Sequence, residues 1–143
     1  MSDVNKKVFE DEFMEVQSGL ISLCMELVGD IADKIYAWCS VESNSQSFNL
    51  FINVEGQIKT LGQLNLNKQL QMKCISMGTM DLNKIRNVCS KYDMPVPNET
   101  RMSYDVKTGK FDAKYRYEEL CSGNTDKTSR EVFMEWVEEM KQG

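Results

Sequence analysis

The sequence predicts an α+β fold: a single domain whose antiparallel sheet has about five strands. A long amphipathic helical pattern opens the chain, apolar and polar residues then alternate in five short segments, and two further helical patterns separate and follow these segments. With 143 residues, 41% of them hydrophobic and 27% charged, the chain can bury one sizeable core. We therefore expect residues 1–143 to form one domain in the order helix, three strands, helix, two strands, helix.

The N-terminal helix is predicted from apolar residues that recur at spacings of four and three. They are Phe9, Phe13, Val16, Leu20, Leu23 and Leu27. Acidic residues crowd the first turns between Glu10 and Glu15, where the helix dipole favours negative charge, and Gly29 marks the expected end.

Alternation predicts the next three strands as a meander. Residues 35–41 and 48–54 alternate across a turn at 42–45, and a second turn at Glu55-Gly56 leads into a strand at 57–61. Trp38 and Phe51 lie opposite the regular apolar sets of their strands. We expect them either to contact a covering helix or to form an exposed aromatic patch that anchors a partner.

The segment from 62 to 80 fits two descriptions, because its leucines could alternate along a strand or line a loop over the core. A middle helix is expected to begin at Thr79 or Asp81, since the apolar residues that follow have helical spacing. It must end before Pro95.

A β-hairpin is the clearest local pattern in the chain. Residues 102–106 and 111–117 alternate on either side of a turn that contains Gly109. Phe111, Tyr115 and Tyr117 share one face of the second strand, which favours a place in the core over stacking on nucleic-acid bases.

A capping box, Thr128-Ser129-Arg130-Glu131, predicts the start of a C-terminal helix. Its predicted apolar side follows at helical spacing. It comprises Val132, Phe133, Trp136, Val137 and Met140.

The composition excludes several kinds of enzyme. The chain has no histidine, so Ser-His-Asp and Cys-His catalysis and His-ligated zinc are excluded within it. The sequence also lacks the phosphate-binding, dinucleotide-binding, calcium-binding and nucleophile-elbow motifs. We therefore expect no catalytic residues, no cofactor and no bound metal.

The five cysteines are odd in number and form no CxxC pair. Several lie in apolar stretches, which favours buried, reduced thiols and a reducing compartment. The N-terminus lacks the apolar stretch of a signal peptide, and no apolar run is long enough to span a membrane. A cytoplasmic location is therefore expected.

The distribution of charge indicates the kind of partner. A net charge of −5 and a pI near 4.8 argue against nucleic acid or an anionic membrane as the main partner. Residues 56–92 carry six basic and one acidic residue, whereas both ends of the chain are acidic. These charges are either solvated faces or a surface for a cationic protein.

The sharper hypothesis places a binding surface on the last helix, where Glu131, Glu135 and Glu138 recur on one face beside Glu139 without interleaved lysines. Repulsion along such a stripe costs stability, which a partner's basic surface would offset. Glu118 and Glu119 are expected to extend this surface, and Trp38 or Phe51 could add apolar anchors. The alternatives are that a partner binds the cationic middle or a sheet edge.

Several features together resemble the YezG-like immunity proteins, the antitoxins of bacterial polymorphic toxin and contact-dependent inhibition systems. They are the stretch YDVKTGKFDAKYRYE at 104–118, the prolines at 95 and 97, Trp136 in an acidic closing helix, and the opening helix that leads into KIYAW at 34–38. The resemblance covers essentially the whole chain. It implies a cytoplasmic, non-catalytic protein that binds and neutralises the toxic C-terminal domain, often a nuclease, of a cognate secreted toxin.

A secretion chaperone is the alternative from another class. Small acidic α+β proteins of this size also shield effectors, and such a chaperone would bind an extended effector segment and leave folded activity untouched. Either protein could be a monomer or a homodimer.

Overall fold

A computed structural model describes residues 3–118 and 127–143. Within these ranges the helices are α1 (Asp3–Val28), α2 (Lys68–Lys91) and α3 (Ser129–Lys141). The strands are β1 (Lys34–Glu42), β2 (Ser45–Val54), β3 (Gln57–Thr60), β4 (Glu99–Asp105) and β5 (Phe111–Arg116), and a 3-10 turn spans Leu61–Gln63. The predicted α+β class and element order are confirmed.

The five strands form one antiparallel sheet in the order β3-β2-β1-β4-β5. The two hairpin turns that need a left-handed backbone have it at Gly56, with φ 82°, and at Gly109, with φ 74°. Glycine adopts this conformation without a steric cost. Strand β1 lies in the middle, between β2 and β4.

The alternation of β1 separates two cores on opposite faces of the sheet. Ile35, Ala37 and Cys39 point into the larger core beneath α1 and α2. Tyr36 and Trp38 point the other way, into a smaller aromatic core beneath α3. The sheet is therefore covered on both faces, which places α3 far from the other two helices.

The expected start of the middle helix at Thr79 or Asp81 is wrong, because α2 begins at Lys68 and spans most of the segment that fitted both strand and loop. The Asn67 side chain caps this start by accepting from the Leu70 N–H at 3.1 Å. The inward stripe continues through Cys74 and Gly78, both buried. Because both residues are small, the buried side of this half of α2 does not show the spacing of large apolar residues from which helices are predicted.

The expected end of α1 and the expected cap of α3 are confirmed. The expectation that Glu10 to Glu15 occupy the first turns of α1 is wrong, because the helix begins at Asp3. Gly29 closes α1 by donating its N–H to Met25 O at 2.8 Å. The Thr128 side chain caps α3 by accepting from the Glu131 N–H at 3.1 Å. None of the helices in the described ranges combines the length and apolarity needed to cross a bilayer.

Candidate protein-binding surfaces

The first candidate surface is the outward side of α3, which we call the acidic face and define as Glu131, Glu135, Glu138 and Glu139. Val132, Phe133, Trp136 and Val137 are all buried against the sheet. Because the inward positions are apolar, the four carboxylates project away from the domain. The structure thus brings these predicted residues together on one exposed side of one helix.

Nearby cations engage three of these carboxylates. Lys127 Nζ lies 2.6 Å from Glu135 Oε2, and Lys141 Nζ lies 3.4 Å from Glu138 Oε1. Arg101 of β4 reaches across to Glu139, with Nη1 and Oε2 3.0 Å apart. No lysine is interleaved in the stripe, as the sequence indicates, and the cations come instead from β4, from the residue before the helix cap and from the last residue of α3.

The acidic face nevertheless remains accessible to a partner. The side chains of Glu135, Glu138 and Glu139 are 52%, 56% and 66% exposed. Glu131 is different, since its backbone N–H and carboxylate both contact the Thr128 hydroxyl and so belong to the cap of the helix. Glu118 is exposed just beyond β5, and Glu119 lies outside the described residues.

Trp38 and Phe51 do not reach the surface. They are 1% and 0% exposed and pack under α3, where the Phe51 ring meets that of Trp136 edge-on at a centroid distance of 4.9 Å. Of the two alternatives for these residues, contact with a covering helix is confirmed. Their proposed role as surface anchors for a partner is wrong for this structure, because a partner cannot touch them while α3 is in place.

A buried ion pair connects the aromatic core to the acidic face. The indole Nε1 of Trp38 donates to Glu99 Oε2 at 2.8 Å. Arg101 Nε lies 3.2 Å from Glu99 Oε1 but without hydrogen-bond geometry, so this contact is a charge–charge interaction. The same guanidinium lies 5.3 Å from the centre of the Trp136 ring. Arg101 therefore links a buried carboxylate of β4 to the exposed carboxylate of Glu139.

The second candidate surface is an apolar groove that sequence reasoning missed. It has a volume of about 220 Å3 and lies between the start of α1, the segment before β4, and the end of β5. We call it the α1–β5 groove. Its lining is Phe9, Glu10, Phe13, Met14, Gln17, Met94, Pro95, Pro97, Tyr115 and Tyr117.

The two tyrosines explain why this groove was missed. Their alternation with Phe111 predicts a core position, but Tyr115 and Tyr117 are 38% and 56% exposed. Tyr115 packs its ring on Phe13 and donates its hydroxyl to Gln17 Oε1 at 2.9 Å. The core prediction is therefore wrong for Tyr117 and only half right for Tyr115, because the Tyr115 ring packs on α1 whereas Tyr117 lies just beyond the end of β5.

A third surface is the outer side of α2, in the cationic middle of the sequence. Met72 and Met80 are exposed there, and so are Lys68, Lys73 and Lys84. The lysines are spread along the helix, and Lys84 is paired with Asp81 at 3.4 Å. This surface is mixed and solvated, and two of its lysines, Lys73 and Lys84, also line grooves between α1 and α2.

The four thiols within the described residues are buried and form no disulfide, as the sequence predicts. Cys24, Cys39, Cys74 and Cys89 are all buried and free, and Cys121 lies outside the described residues. Desolvation raises the pKa of the Cys39 and Cys89 thiols. Among the described residues, no cluster of three or more cysteine or carboxylate side chains is placed to hold a metal ion.

No protein-family model matches the sequence, and no curated protein is similar to it.

Proposed function

We propose that this chain is an immunity protein that binds the toxic domain of a cognate secreted toxin and covers its active or substrate-binding surface. The observation that carries the proposal is the acidic face of α3, where the side chains of Glu135, Glu138 and Glu139 are each more than half exposed. A nuclease toxin needs a basic surface to hold phosphates. Carboxylates presented in a row would attract that surface and fix its orientation.

The ion pairs on α3 are compatible with this role. Exposed pairs such as Lys127–Glu135 stabilise a protein by only about 0–1 kcal/mol each. A partner's arginine that replaces Lys127 or Lys141 can make a bidentate contact, which is stronger than the lysine contact it displaces. Replacing these lysine contacts by contacts to a partner's arginines therefore costs little free energy.

Coexpression with the C-terminal domain encoded by the neighbouring gene tests the proposal, with rescue of growth and formation of a complex as readouts. The Glu135→Lys, Glu138→Lys, Glu139→Lys variant should lose both. Glu131 is left unchanged because its N–H and its carboxylate both contact the hydroxyl of Thr128, which caps α3. Rescue with no measurable complex would point to an enzymatic antidote instead of an inhibitor.

A matched control makes the same charge change on the opposite face of the sheet. Glu15, Glu26 and Asp30 are exposed on or just after α1 and are replaced by lysine. This control should keep the complex. If both triple variants fold and bind equally well, the acidic face has no part in binding.

The α1–β5 groove favours a second candidate, the secretion chaperone. Strand β5 ends the sheet, so one side of its backbone has no neighbouring strand among the described residues. An extended segment that pairs with β5 would place alternate side chains beside the apolar groove, where Phe13, Met14 and Tyr117 could hold them. Glu10 at the rim would favour a basic residue in that segment.

Titration with an extended effector segment and with a folded toxin domain separates the two functions. A chaperone would bind the segment, and the Met14→Lys, Tyr117→Lys variant would abolish that binding. Its control is Met72→Lys, Met80→Lys, which adds the same charge on the exposed side of α2. Binding of only the folded domain, unaffected by the groove variant, would exclude the chaperone.

A further inference from the structure

Two of the thiols meet across the interface between α1 and α2. Cys24 and Cys74 are 0% and 6% exposed, and their side chains interact with each other across this interface. Cys74 Sγ also lies 3.7 Å from Leu23 O, the carbonyl that precedes Cys24. The pair therefore joins two helices that are distant in sequence.

Only one of these sulfurs is next to a route from solvent. A groove of about 150 Å3 runs between α1 and α2, and Cys74 is part of its lining whereas Cys24 is not. Leu23, Leu27, Leu70 and Met77 form apolar walls around it. A small uncharged oxidant can thus approach Cys74 first, with Cys24 directly behind it.

The interaction between the two side chains makes the acidities of the thiols different. It lowers the pKa of Cys74, against burial and the nearby Glu26 carboxylate, which raise it. The same interaction and burial raise the pKa of Cys24 well above its ordinary value. Cys74 is therefore the more readily ionised thiol, and the thiolate is the form that reacts with peroxides.

We propose that Cys24 and Cys74 form a peroxide-sensitive thiol pair that closes to a disulfide between α1 and α2. The Cys74 thiolate attacks one oxygen of a hydroperoxide, an S–O bond forms, the O–O bond breaks, and hydroxide or alkoxide leaves. Cys24, after losing its proton to that base or to solvent, attacks the Cys74 sulfur. The S–S bond forms, the S–O bond breaks, and hydroxide leaves to become water.

Atoms and electrons balance in these two reaction steps with a hydroperoxide as the only oxidant. The two sulfurs together lose two electrons, and the peroxide gains them. Cys39 and Cys89 are buried away from the α1–α2 groove and do not line it. They should therefore remain thiols while the pair reacts.

The test is oxidation of the full chain carrying Cys121→Ser with hydrogen peroxide, followed by non-reducing peptide mapping. The expected product is one Cys24–Cys74 disulfide with free Cys39 and Cys89. The Cys24→Ser variant should instead accumulate sulfenic acid at Cys74, which dimedone traps. The Cys74→Ser variant should show neither product.

Far-UV circular dichroism of each serine variant establishes that it is folded, and Cys39→Ala serves as a matched buried control that should keep the disulfide. The proposal is overturned if folded protein forms no Cys24–Cys74 linkage when peroxide has fully oxidised an equal concentration of free cysteine. It is also overturned if dimedone labels Cys39 or Cys89 as fast as Cys74.

Discussion

Gly78 lies where α2 crosses the sheet, and the ring of Phe48 occupies the space beside it. A Cβ added there would lie 2.2 Å from Phe48 Cδ2 and 2.6 Å from Cε2. Both residues are buried, so neither can move into solvent. The absence of a side chain at this position is what allows the helix to approach the strand.

We expect Gly78→Ala to lower the free energy of unfolding. Overpacking a core costs about 1–3 kcal/mol, whereas the gain in helix propensity is about 1 kcal/mol. Urea unfolding followed by circular dichroism measures the difference. Gly19→Ala is the matched control, because its added Cβ would have nothing within 4 Å. It should stabilise α1 by up to about 1 kcal/mol; equal effects of the two changes would contradict the argument.

Glu12 of α1 makes a pH-dependent contact with the end of α2. The Tyr92 hydroxyl donates to Glu12 Oε2, and Lys91 Nζ lies 3.1 Å from Oε1. The hydrogen bond from Tyr92, and then Lys91, lowers the pKa of Glu12 below its ordinary value of 4.5. A lowered carboxyl pKa stabilises the fold above the unfolded-state pKa, and this contribution is lost as the pH falls through the folded-state pKa.

The Glu12→Gln variant should therefore be less stable than the parent at neutral pH, and the difference should shrink as the pH falls below 4.5. Urea midpoints measured across this range test the sign. Tyr92→Phe should reproduce part of the same pH dependence, since it removes the main donor to the carboxylate. A difference that grows in acid would show that the contact does not act through ionisation.

At the scale of elements, the contact between β4 and α3 depends on a carboxylate inside the protein. Glu99 accepts from Trp38 and faces Arg101, whose side chain is only 18% exposed. Removing one partner of such a pair leaves the other poorly solvated, which costs about 3–5 kcal/mol. We expect Glu99→Ala to have an effect of that order on the free energy of unfolding.

Two variants test whether the location of the charge matters. Glu99→Gln keeps an acceptor for the Trp38 indole and should be less damaging than Glu99→Ala. Glu139→Ala removes the exposed partner of the same arginine and should cost no more than about 1 kcal/mol. Equilibrium unfolding with tryptophan fluorescence follows all three. A larger loss from Glu139→Ala than from Glu99→Ala would contradict this account.

How well a helix or strand can be predicted from the sequence depends on the size of the residues that it buries. The stripe of α1 consists of leucines, phenylalanines and a valine, and the hairpin of β4 and β5 has a glycine turn, so both were predictable. The first half of α2 buries Cys74 and Gly78, which no apolar periodicity reveals. The packing of Gly78 against Phe48 of β2 is a tertiary contact that the periodicity of α2 alone does not show.

The candidate surfaces were predictable to different degrees for a related reason. Helical spacing places the four glutamates of α3 on one side, but their cations come from β4, from Lys127 and from the end of α3. Only Lys127 and Lys141 are close to them in sequence. Three parts of the chain form the α1–β5 groove: α1, residues 94–97 before β4, and the end of β5. The groove therefore exists only once the chain has folded.

At the scale of the whole molecule, β1 is the middle strand of the five-stranded sheet. It is hydrogen-bonded along most of its length to β2 on one side and to β4 on the other. Residues of one parity lie under α1 and α2, and those of the other parity lie under α3. Opening β1 locally would therefore require both cores to separate at once.

This central position has a measurable consequence for the exchange of backbone amide protons with solvent. Amide protons on β1, such as those of Ala37 and Trp38, should exchange with deuterium only through global unfolding, whereas those of β5 should exchange through smaller openings. In a variant whose α3 no longer docks, one face of β1, β2 and β3 would be open to water, and faster deuterium uptake on these three strands would report that loss.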